Sequence, residues 1–230
     1  MVPKIIHYCW FGRQPKPKDV EYNIATWKKY CPDYRLVEWN EDNFNIQINT
    51  YSRQAYEKRK WAFVSDVARL YALVNMGGIY MDTDVEVVKP FDDLLDTKGF
   101  LGFEGTKWIA TSAMGAEPDN PIMKRCLLDY NERLFINEDG IQDKDTNVVI
   151  LTKLLEKEQH LVLDGKRQSL PFFDIYPNDY FTPYDYISGI LNKTENTHTI
   201  HWFNRSWLNH SPLRLKLSQF YHRLVGRKMK

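Results

Sequence analysis

One stretch of 25 residues constrains the fold more than any other, because a helical pattern stops there at two glycines and an alternating pattern follows. In residues 63–74 the apolar side chains recur at steps of three and four, which predicts a helix with one buried face. Gly77 and Gly78 come next, and glycine readily adopts the left-handed conformation that ends a helix. Residues 79–87 then alternate apolar and polar side chains, which predicts a strand. Its polar face would carry Tyr80, Asp82, Asp84 and Glu86.

The preceding residues show the same succession of strand and helix. Residues 4–11 predict a buried strand, residues 19–31 a helix that stops before Pro32, and residues 34–39 a second strand. This order predicts an α/β fold with a mainly parallel central sheet. Ligands of such sheets bind beyond the carboxyl ends of the strands.

The second half of the chain is less regular. We expect strands at 99–104 and 108–116, and helices at 120–135 and 145–158. Residues 170–186 are rich in aromatic residues and proline, which indicates a loop or an edge region.

Composition narrows the class of protein. The 31 Lys and Arg residues nearly balance the 30 Asp and Glu residues, so a nucleic-acid-binding role is disfavoured. The widely spaced Cys9, Cys31 and Cys126 argue against a disulfide framework and a zinc site, and favour a reducing cytosol. The sequence opens without a signal-like stretch, and no window approaches the ~18 apolar residues of a membrane span. We therefore expect a cytoplasmic protein.

The last twenty residues differ from the rest in charge. Residues 211–230 contain six basic residues and no acidic one, with apolar residues at helical spacing. Two interpretations stay open: an amphipathic helix on the anionic inner face of a membrane, or a terminal helix docked on the core with a solvated basic face. We divide the chain into a domain at 1–210 and a basic tail at 211–230.

The two aspartates of the alternating run are the strongest candidates for chemistry. Residues two apart on a strand share a face, so Asp82 and Asp84 can direct their carboxylates to one point. Two carboxylates this close repel unless one keeps a proton or a cation lies between them. Mg²⁺ or Mn²⁺ is commonly held by one or two carboxylates, with substrate phosphates completing its shell. An isolated Asp-x-Asp is nevertheless more often a solvated strand end.

Two other Asp-x-Asp chemistries can be compared with the sequence. A calcium-binding EF-hand loop needs Gly and Glu where this chain has Val87 and Asp93, so that interpretation fails. A phosphohydrolase of the haloacid-dehalogenase type would have Thr or Val where this chain has Glu86, and its motif would lie on the first strand. It fits poorly and stays as the second candidate.

Three separated blocks resemble one enzyme family. Residues 61–87, WAFVSDVARLYALVNMGGIYMDTDVEV, resemble the sugar-binding region of Asp-x-Asp glycosyltransferases of family 32, to which the clostridial glucosylating toxins are distantly related. Residues 3–12, PKIIHYCWFG, resemble that family's first strand, and residues 199–207, TIHWFNRSW, its C-terminal element. The resemblance implies a single-domain GT-A fold that binds a nucleotide-sugar together with Mn²⁺ or Mg²⁺.

The resemblance also implies roles for individual residues. Asp84 corresponds to the direct metal ligand, and Asp82 to the residue that contacts the ribose or donor sugar and the water shell of the metal. Asp66 and Arg69 correspond to the Asp and Arg that bond donor hydroxyls; a surface ion pair within the helix is their other interpretation. Trp10 would stack near the base, although core packing is equally compatible with a tryptophan there.

The C-terminal block supplies the remaining expected site residues. His201 matches a histidine that completes the metal shell in related enzymes, although His198 and His210 compete for this role. Imidazole favours Mn²⁺ over Mg²⁺. Ser206 and Trp207 would reach the metal or the diphosphate. The donor-binding set is Trp10, Asp66, Arg69, Tyr80, Asp82, Ser206 and Trp207; the catalytic set is Asp82, Asp84 and Arg69; the metal set is Asp84, Asp82 and His201.

Together these features predict a metal-dependent, retaining glycosyltransferase. It would move a hexose or N-acetylhexosamine from a nucleotide-sugar, with UDP as the favoured nucleotide, to a saccharide or lipid-linked oligosaccharide of capsular or other surface polysaccharide synthesis. Acceptor-side residues are expected among Glu104, Asp143, Asp145 and Asn147, where the chain departs from the family pattern. The alternatives are a phosphohydrolase and a non-catalytic module that binds sugar nucleotides.

Overall fold

The computed structural model of the protein describes residues 1–143 and 145–203. The helices in this part of the chain are α1 (Lys18–Tyr30), α2 (Thr50–Glu57), α3 (Trp61–Met76), α4 (Pro121–Glu132) and α5 (Asn147–Gln159). The strands are β1 (Ile5–Cys9), β2 (Arg35–Trp39), β3 (Gly78–Met81), β4 (Val85–Val87), β5 (Gly99–Glu104), β6 (Trp108–Ala116), β7 (Gln168–Ser169), β8 (Asp174–Tyr176), β9 (Tyr184–Asp185), β10 (Ile190–Leu191) and β11 (Thr199–His201).

A central sheet organises these elements in the order β2-β1-β3-β6-β5-β8-β7. β1 is parallel to both β2 and β3, and β5 is parallel to β8. β6 is antiparallel to β3 and β5, and β7 is antiparallel to β8. Five of the seven strands therefore run in one direction, which confirms the predicted α/β class with a mixed, mainly parallel sheet. The carboxyl ends of β1, β3 and β5 lie at one edge of the sheet.

The predicted elements of the first half are present. β1 and β2 lie within their predicted ranges, and α1 begins and ends one residue before its predicted range does. α3 ends at the residue before the glycine pair, as predicted. Gly77 has φ +60°, and a Cβ there would lie 2.6 Å from the Cδ of Pro118, so both backbone conformation and space require glycine. The turn after Gly77 leads the chain directly from α3 into β3.

The predicted single strand at 79–87 is wrong in its middle. β3 ends at Met81, residues 82–84 form a turn, and β4 pairs with β11 instead of with the central sheet. Side chains of α1 hold this second part: Trp27 Nε1 donates to the carbonyl of Val85, and Asn23 Nδ2 to that of Thr83. Because these side chains provide hydrogen bonds to backbone carbonyls outside the sheet, the chain can leave the central sheet after Met81.

The aromatic region at 170–186 also differs from its prediction. It contains β8, which lies inside the central sheet between β5 and β7. Three residues are too few to show strand periodicity, and the pairing of β8 with β5 joins residues about 75 apart, so no local signal predicts it. The predicted loop is thus partly a sheet strand.

The core fills both sides of the sheet. One buried cluster lies around α3, α4 and α5, and includes Leu70, Tyr130 and Leu155. The other lies around α1 and the β4 region, and includes Trp27 and Phe91. All three cysteines are free and buried. Among the described helices, none has the length and apolar character needed to cross a bilayer. The predicted domain boundary at 210 and the tail at 211–230 lie outside the described residues.

Candidate active site

The turn after β3 brings the two aspartates together at the edge where β1, β3 and β5 end. The backbone N–H of Asp82 donates to the carbonyl of Ser112 in β6, and the N–H of Val85 closes the turn on the carbonyl of Asp82. Possible ligand atoms of Asp82, Asp84 and His201 all lie within 4.8 Å of one another. The convergence that the sequence predicted from strand alternation is therefore made by a turn, and it includes the predicted histidine.

His201 reaches the turn through the pairing of β11 with β4. In this antiparallel pair His201 lies opposite Val85, the residue after Asp84. The next backbone N–H, of Trp202, donates to the carbonyl of Asp84 at 3.0 Å, and the indole of Trp202 donates to Glu86 at 3.0 Å. These two hydrogen bonds from Trp202, together with the pairing of β11 with β4, hold His201 beside the turn.

The inner half of the site is a buried ion-pair network centred on Arg69. This guanidinium lies 3.2 Å from Asp66 and 3.1 Å from Asp82, and donates to the carbonyl of Thr111 at 2.9 Å. The hydroxyl of Tyr80 donates to Asp82 at 2.8 Å, and its ring lies under the guanidinium at 4.5 Å. Asp66 and Arg69 do pair within the helix, but they are buried, so their interpretation as a surface ion pair is wrong.

Burial sets the protonation behaviour of this network. Desolvation raises the pKa of Asp66 to about 6, and it raises the pKa of Asp82 too, although Arg69 opposes both shifts. The same two carboxylates favour the charged form of Arg69, whose pKa is raised despite its burial. Arg69 is therefore a fixed cation, and it neutralises Asp82 from inside the fold.

The outer half of the site is the pair of Asp84 and His201. The Nε2 of His201 lies 3.3 Å from Asp84, and the side chains are 12% and 19% exposed. Burial lowers the pKa of His201, but the adjacent Asp84 carboxylate outweighs burial and the net pKa is raised. Within the described part of the chain, the buried Nδ1 of His201 has no hydrogen-bond partner.

This set of donors fits a divalent cation. Two carboxylates and one imidazole form a ligand set that suits Mn²⁺ better than Mg²⁺, because Mg²⁺ prefers oxygen ligands only. A cation beside Asp84 would replace the proton that this carboxylate otherwise favours on His201, and would relieve the repulsion between the two aspartates. The residues predicted to bind metal, Asp84, Asp82 and His201, are thus the ones that the fold brings together.

Trp10 lies at the end of β1, on the same edge. Its ring is half-buried, its indole N–H donates to the carbonyl of Gln14 at 2.6 Å, and Lys16 lies near the ring. Stacking of Trp10 on a base stays a prediction, as does contact of Asp66, Arg69 and Tyr80 with a donor. Ser206, Trp207 and the competing His210 lie outside the described residues.

The other competing histidine has a different environment. His198 is fully buried between the rings of Phe91 and Tyr180, and its Nδ1 lies 2.7 Å from the carbonyl of Pro90. Its Nε2 lies 3.7 Å from Asp93, and of these two histidines only His201 belongs to the metal set.

Of the expected acceptor-side residues, Glu104 lies close enough to His201 to favour its charged form, and Asn147 contacts the backbone of the inner network. Its amide donates to the backbone carbonyl of Asp66 at 2.8 Å, and it accepts from Tyr130 at 2.6 Å. Asp143 pairs instead with Arg133, which also donates to the carbonyl of Asp145. The first residue of α5 therefore supports the inner network, while the two aspartates before it stabilise their own loop.

Sequence reasoning missed a cleft at this edge. A cleft of about 700 Å³ lies between the turn after β1 and the start of α3. Its lining residues are Gly12, Arg13, Gln14, Tyr56, Glu57, Arg59 and Trp61. The signal was present in the sequence as a tryptophan at the first position of α3, but nothing local shows that Trp61 packs against Gly12.

Known proteins are similar to the part of the chain that contains this site. Residues 17–101 match the family described as the glycosyltransferase sugar-binding region containing the DXD motif. Inositol phosphoceramide mannosyltransferase 3 of Schizosaccharomyces pombe is 27% identical over 134 residues, which cover 53% of this chain and 35% of that protein. Human alpha-1,4-N-acetylglucosaminyltransferase is 30% identical over 106 residues, which cover 46% of this chain and 27% of that protein. The matched part is thus about a third of these relatives.

A solved structure shares the fold. The PaToxG glycosyltransferase superposes with a TM-score of 0.52 at 21% identity, over 68% of this chain and 70% of that one. This likeness confirms the predicted GT-A type fold. Residues 17–101 are therefore similar to the glycosyltransferase sugar-binding region that contains the DXD motif, and about half of the chain is similar to known glycosyltransferases.

Proposed function

We propose that the protein is a metal-dependent glycosyltransferase that uses a nucleotide-sugar. The observation that carries the proposal is the convergence of Asp82, Asp84 and His201 at the end of β3, two of them inside the matched DXD region. A sugar-nucleotide has a diphosphate at its centre, and a cation held by these residues matches that group.

The distance between the cleft and the inner network suits the length of a nucleotide-sugar. The cleft begins at Trp61, and Arg69 lies eight residues further along α3, which corresponds to an axial rise of about 12 Å. The base would lie in the cleft beyond β1, near Trp10, with the diphosphate at Asp84 and the sugar near Asp66. UDP stays the favoured nucleotide.

Departure of a nucleoside diphosphate develops negative charge on the phosphates and positive charge at the anomeric carbon. A divalent cation bound by Asp84, Asp82 and His201 would supply Lewis-acid stabilisation of the phosphates. Arg69 orients Asp82 and Asp66 by bonds to both, so these carboxylates can accept hydrogen bonds from donor hydroxyls without reorganisation. We propose retention of anomeric configuration, which rests on the family resemblance alone.

The acceptor is proposed to be a saccharide, either lipid-linked or part of a surface polysaccharide. The name of the S. pombe relative gives that enzyme a lipid acceptor, inositol phosphoceramide. A lipid-borne acceptor at the inner face of a membrane would also give the basic tail at 211–230 a purpose.

Release of nucleoside diphosphate from a panel of UDP- and GDP-sugars tests the proposal. It would be measured with Mn²⁺, with Mg²⁺ and with chelator. We expect slow, metal-dependent hydrolysis of one donor, and a loss of about a hundredfold or more in Asp84→Asn. Asp119→Asn, at an exposed aspartate paired with Lys124, is the matched control and should be unchanged.

The two alternative functions, a phosphohydrolase and a binding module, would give different results in these assays. A phosphohydrolase would liberate inorganic phosphate from simple phosphoesters and leave every nucleotide-sugar intact. A binding module would retain metal-dependent affinity for a donor without any release. Either pattern would refute the transferase proposal.

A further inference from the structure

A short hairpin beside the candidate site exposes an unusual amount of apolar surface. Residues 184–191 form this hairpin from β9 and β10, which pair Asp185 with Ile190 and Tyr184 with Leu191. At its end Ile187 is 48% exposed, Ile190 47% and Leu191 40%. Three large aliphatic side chains within five residues form a patch, whereas scattered exposed apolar residues are normal. We call residues 187–191 the hairpin tip.

Contacts between tilted aromatic rings connect the hairpin to the metal set. The ring of His201 lies 3.8 Å from that of Phe203, and Phe203 lies 4.8 Å from Tyr186, the residue before the tip. Tyr184 also packs on Trp202, with ring centroids 5.3 Å apart. These contacts hold the hairpin tip beside the site, and Tyr184, Tyr186 and Trp202 are of the two residue types enriched at membrane interfaces.

The distribution of charge along the chain provides an independent argument that the partner of the hairpin tip is an anionic lipid surface. The six basic residues of 211–230 come shortly after Phe203 in the chain, and removing them leaves 25 basic against 30 acidic residues in 1–210. The body of the protein is thus acidic and would be repelled by anionic lipid, whereas the segment that follows the hairpin region is attracted to it. Residue 211 follows Phe203 by eight residues, so the basic segment is tethered within about 28 Å of Phe203, and its attraction to lipid would bring the hairpin tip near the membrane surface.

We propose that the hairpin tip inserts into the interface of an anionic lipid bilayer and so presents the site at the end of β3 to membrane-borne acceptors. Ile187, Ile190 and Leu191 provide the apolar contact, and the basic segment provides the electrostatic attraction. The part that concerns the acceptor rests on the proposed transferase function. Lipid binding itself does not, because it is measured without turnover.

The first test is co-sedimentation of the full chain with vesicles of phosphatidylcholine containing about 30% phosphatidylglycerol. We expect binding that weakens with salt, and a drop of about tenfold in the partition coefficient in the triple variant Ile187→Thr, Ile190→Thr, Leu191→Thr. Threonine is β-branched, like the two isoleucines that it replaces here, and strands favour that shape. The matched control replaces exposed aliphatic residues elsewhere, Leu128→Gln with Val162→Thr, and should bind like the unchanged protein.

A fluorescent label locates the contact directly. Since the three native cysteines are buried, an environment-sensitive fluorophore can be attached selectively to Ile190→Cys, with Val162→Cys as its control. We expect a blue shift on addition of vesicles at position 190 only. Sedimentation without a shift at 190 would show that the tail binds alone and would overturn the proposal, as would absence of vesicle binding.

Two further outcomes distinguish this proposal from self-association through the hairpin tip and from the proposed transferase function. If the triple variant changed the protein from a dimer to a monomer in light scattering and left lipid binding intact, the tip would be an interface between copies and the proposal would be wrong. If lipid binding behaved as expected and no donor were hydrolysed, the transferase function would fail while the membrane contact stood.

Discussion

Asp82 and Asp84 stand two residues apart in one turn, yet the fold surrounds them differently. Asp82 lies against a fixed internal cation, Arg69, and accepts from the Tyr80 hydroxyl. Asp84 lies beside His201, whose charge depends on its proton. From this comparison we propose a division of labour: the inner carboxylate would position the donor, and the outer carboxylate with its histidine would be where an external cation replaces a proton.

The largest expected effect comes from removing the internal cation. Arg69→Met leaves the buried Asp66 and the half-buried Asp82 without their cationic partner, so the free energy of unfolding should fall by about 3–5 kcal/mol. Denaturant unfolding measures it. Arg53→Met, which breaks an exposed pair with Glu57, is the control and should change stability by less than about 1 kcal/mol. Equal effects of the two substitutions would contradict the inner network.

The second prediction contrasts His201 with a histidine that has no carboxylate beside it. His7 lies in the core; its Nε2 donates to the carbonyl of Gly77, and its Nδ1 accepts from the indole of Trp39. Burial lowers the pKa of His7 to about 4, below its ordinary value of 6.5. The folded state thus keeps His7 neutral while the unfolded chain takes up a proton.

It follows that the contribution of His7 to stability is complete above pH 6.5 and is lost as the pH falls from 6.5 to about 4. The loss should reach about 3 kcal/mol. Nuclear magnetic resonance of the histidine ring protons, together with unfolding at several pH values, measures both parts. His160→Asn, at an exposed position, should leave the pH dependence unchanged. A ring signal of His7 that titrates near 6.5 would refute the prediction.

Third, the outer half should determine the choice of metal. His201→Gln keeps a polar side chain but removes the imidazole, so activity with Mn²⁺ should fall by about tenfold or more while activity with Mg²⁺ changes less. The ratio of nucleoside-diphosphate release with the two metals is the measurement. An unchanged ratio would show that His201 does not take part in metal selection.

The smallest expected effect concerns the support of the turn. Asn23→Ala removes the hydrogen bond from α1 to the carbonyl of Thr83, between the two aspartates. Stability should fall by about 1–2 kcal/mol, because the carbonyl loses a buried partner. The apparent affinity for metal should weaken a few-fold, and titration of Mn²⁺ measures it. Asn75→Ala, at an exposed helix position, is the control.

Local pattern predicted the framework of the site but not its final geometry. The periodicity of α3 placed Asp66 and Arg69 on the right helix, and the glycine pair after it placed the start of the following strand correctly. The same pattern extended one strand across 82–84, because alternation continues through a turn whose backbone partners come from α1 and β11. Those partners are distant in sequence, so no local signal could show the break.

The register of His201 depends on long-range pairing in the same way. Motif resemblance selected it over His198, and the β11–β4 pairing opposite Val85 explains why it points to the turn. The hairpin tip and the cleft near Trp61 had no sequence signal of comparable strength. Exposure of Ile187 or Ile190 is a property of how β9 and β10 pack, and composition alone does not predict it.

The division of labour between the two aspartates can be tested most directly by Mn²⁺ titration, followed by electron paramagnetic resonance in the presence of a nucleoside diphosphate. Asp84→Asn and Asp82→Asn differ only in which of two neighbouring carboxylates is neutralised. We predict that Asp84→Asn weakens Mn²⁺ binding by at least about tenfold more than Asp82→Asn, because Arg69 already compensates Asp82. Equal losses, or a larger loss in Asp82→Asn, would contradict the account.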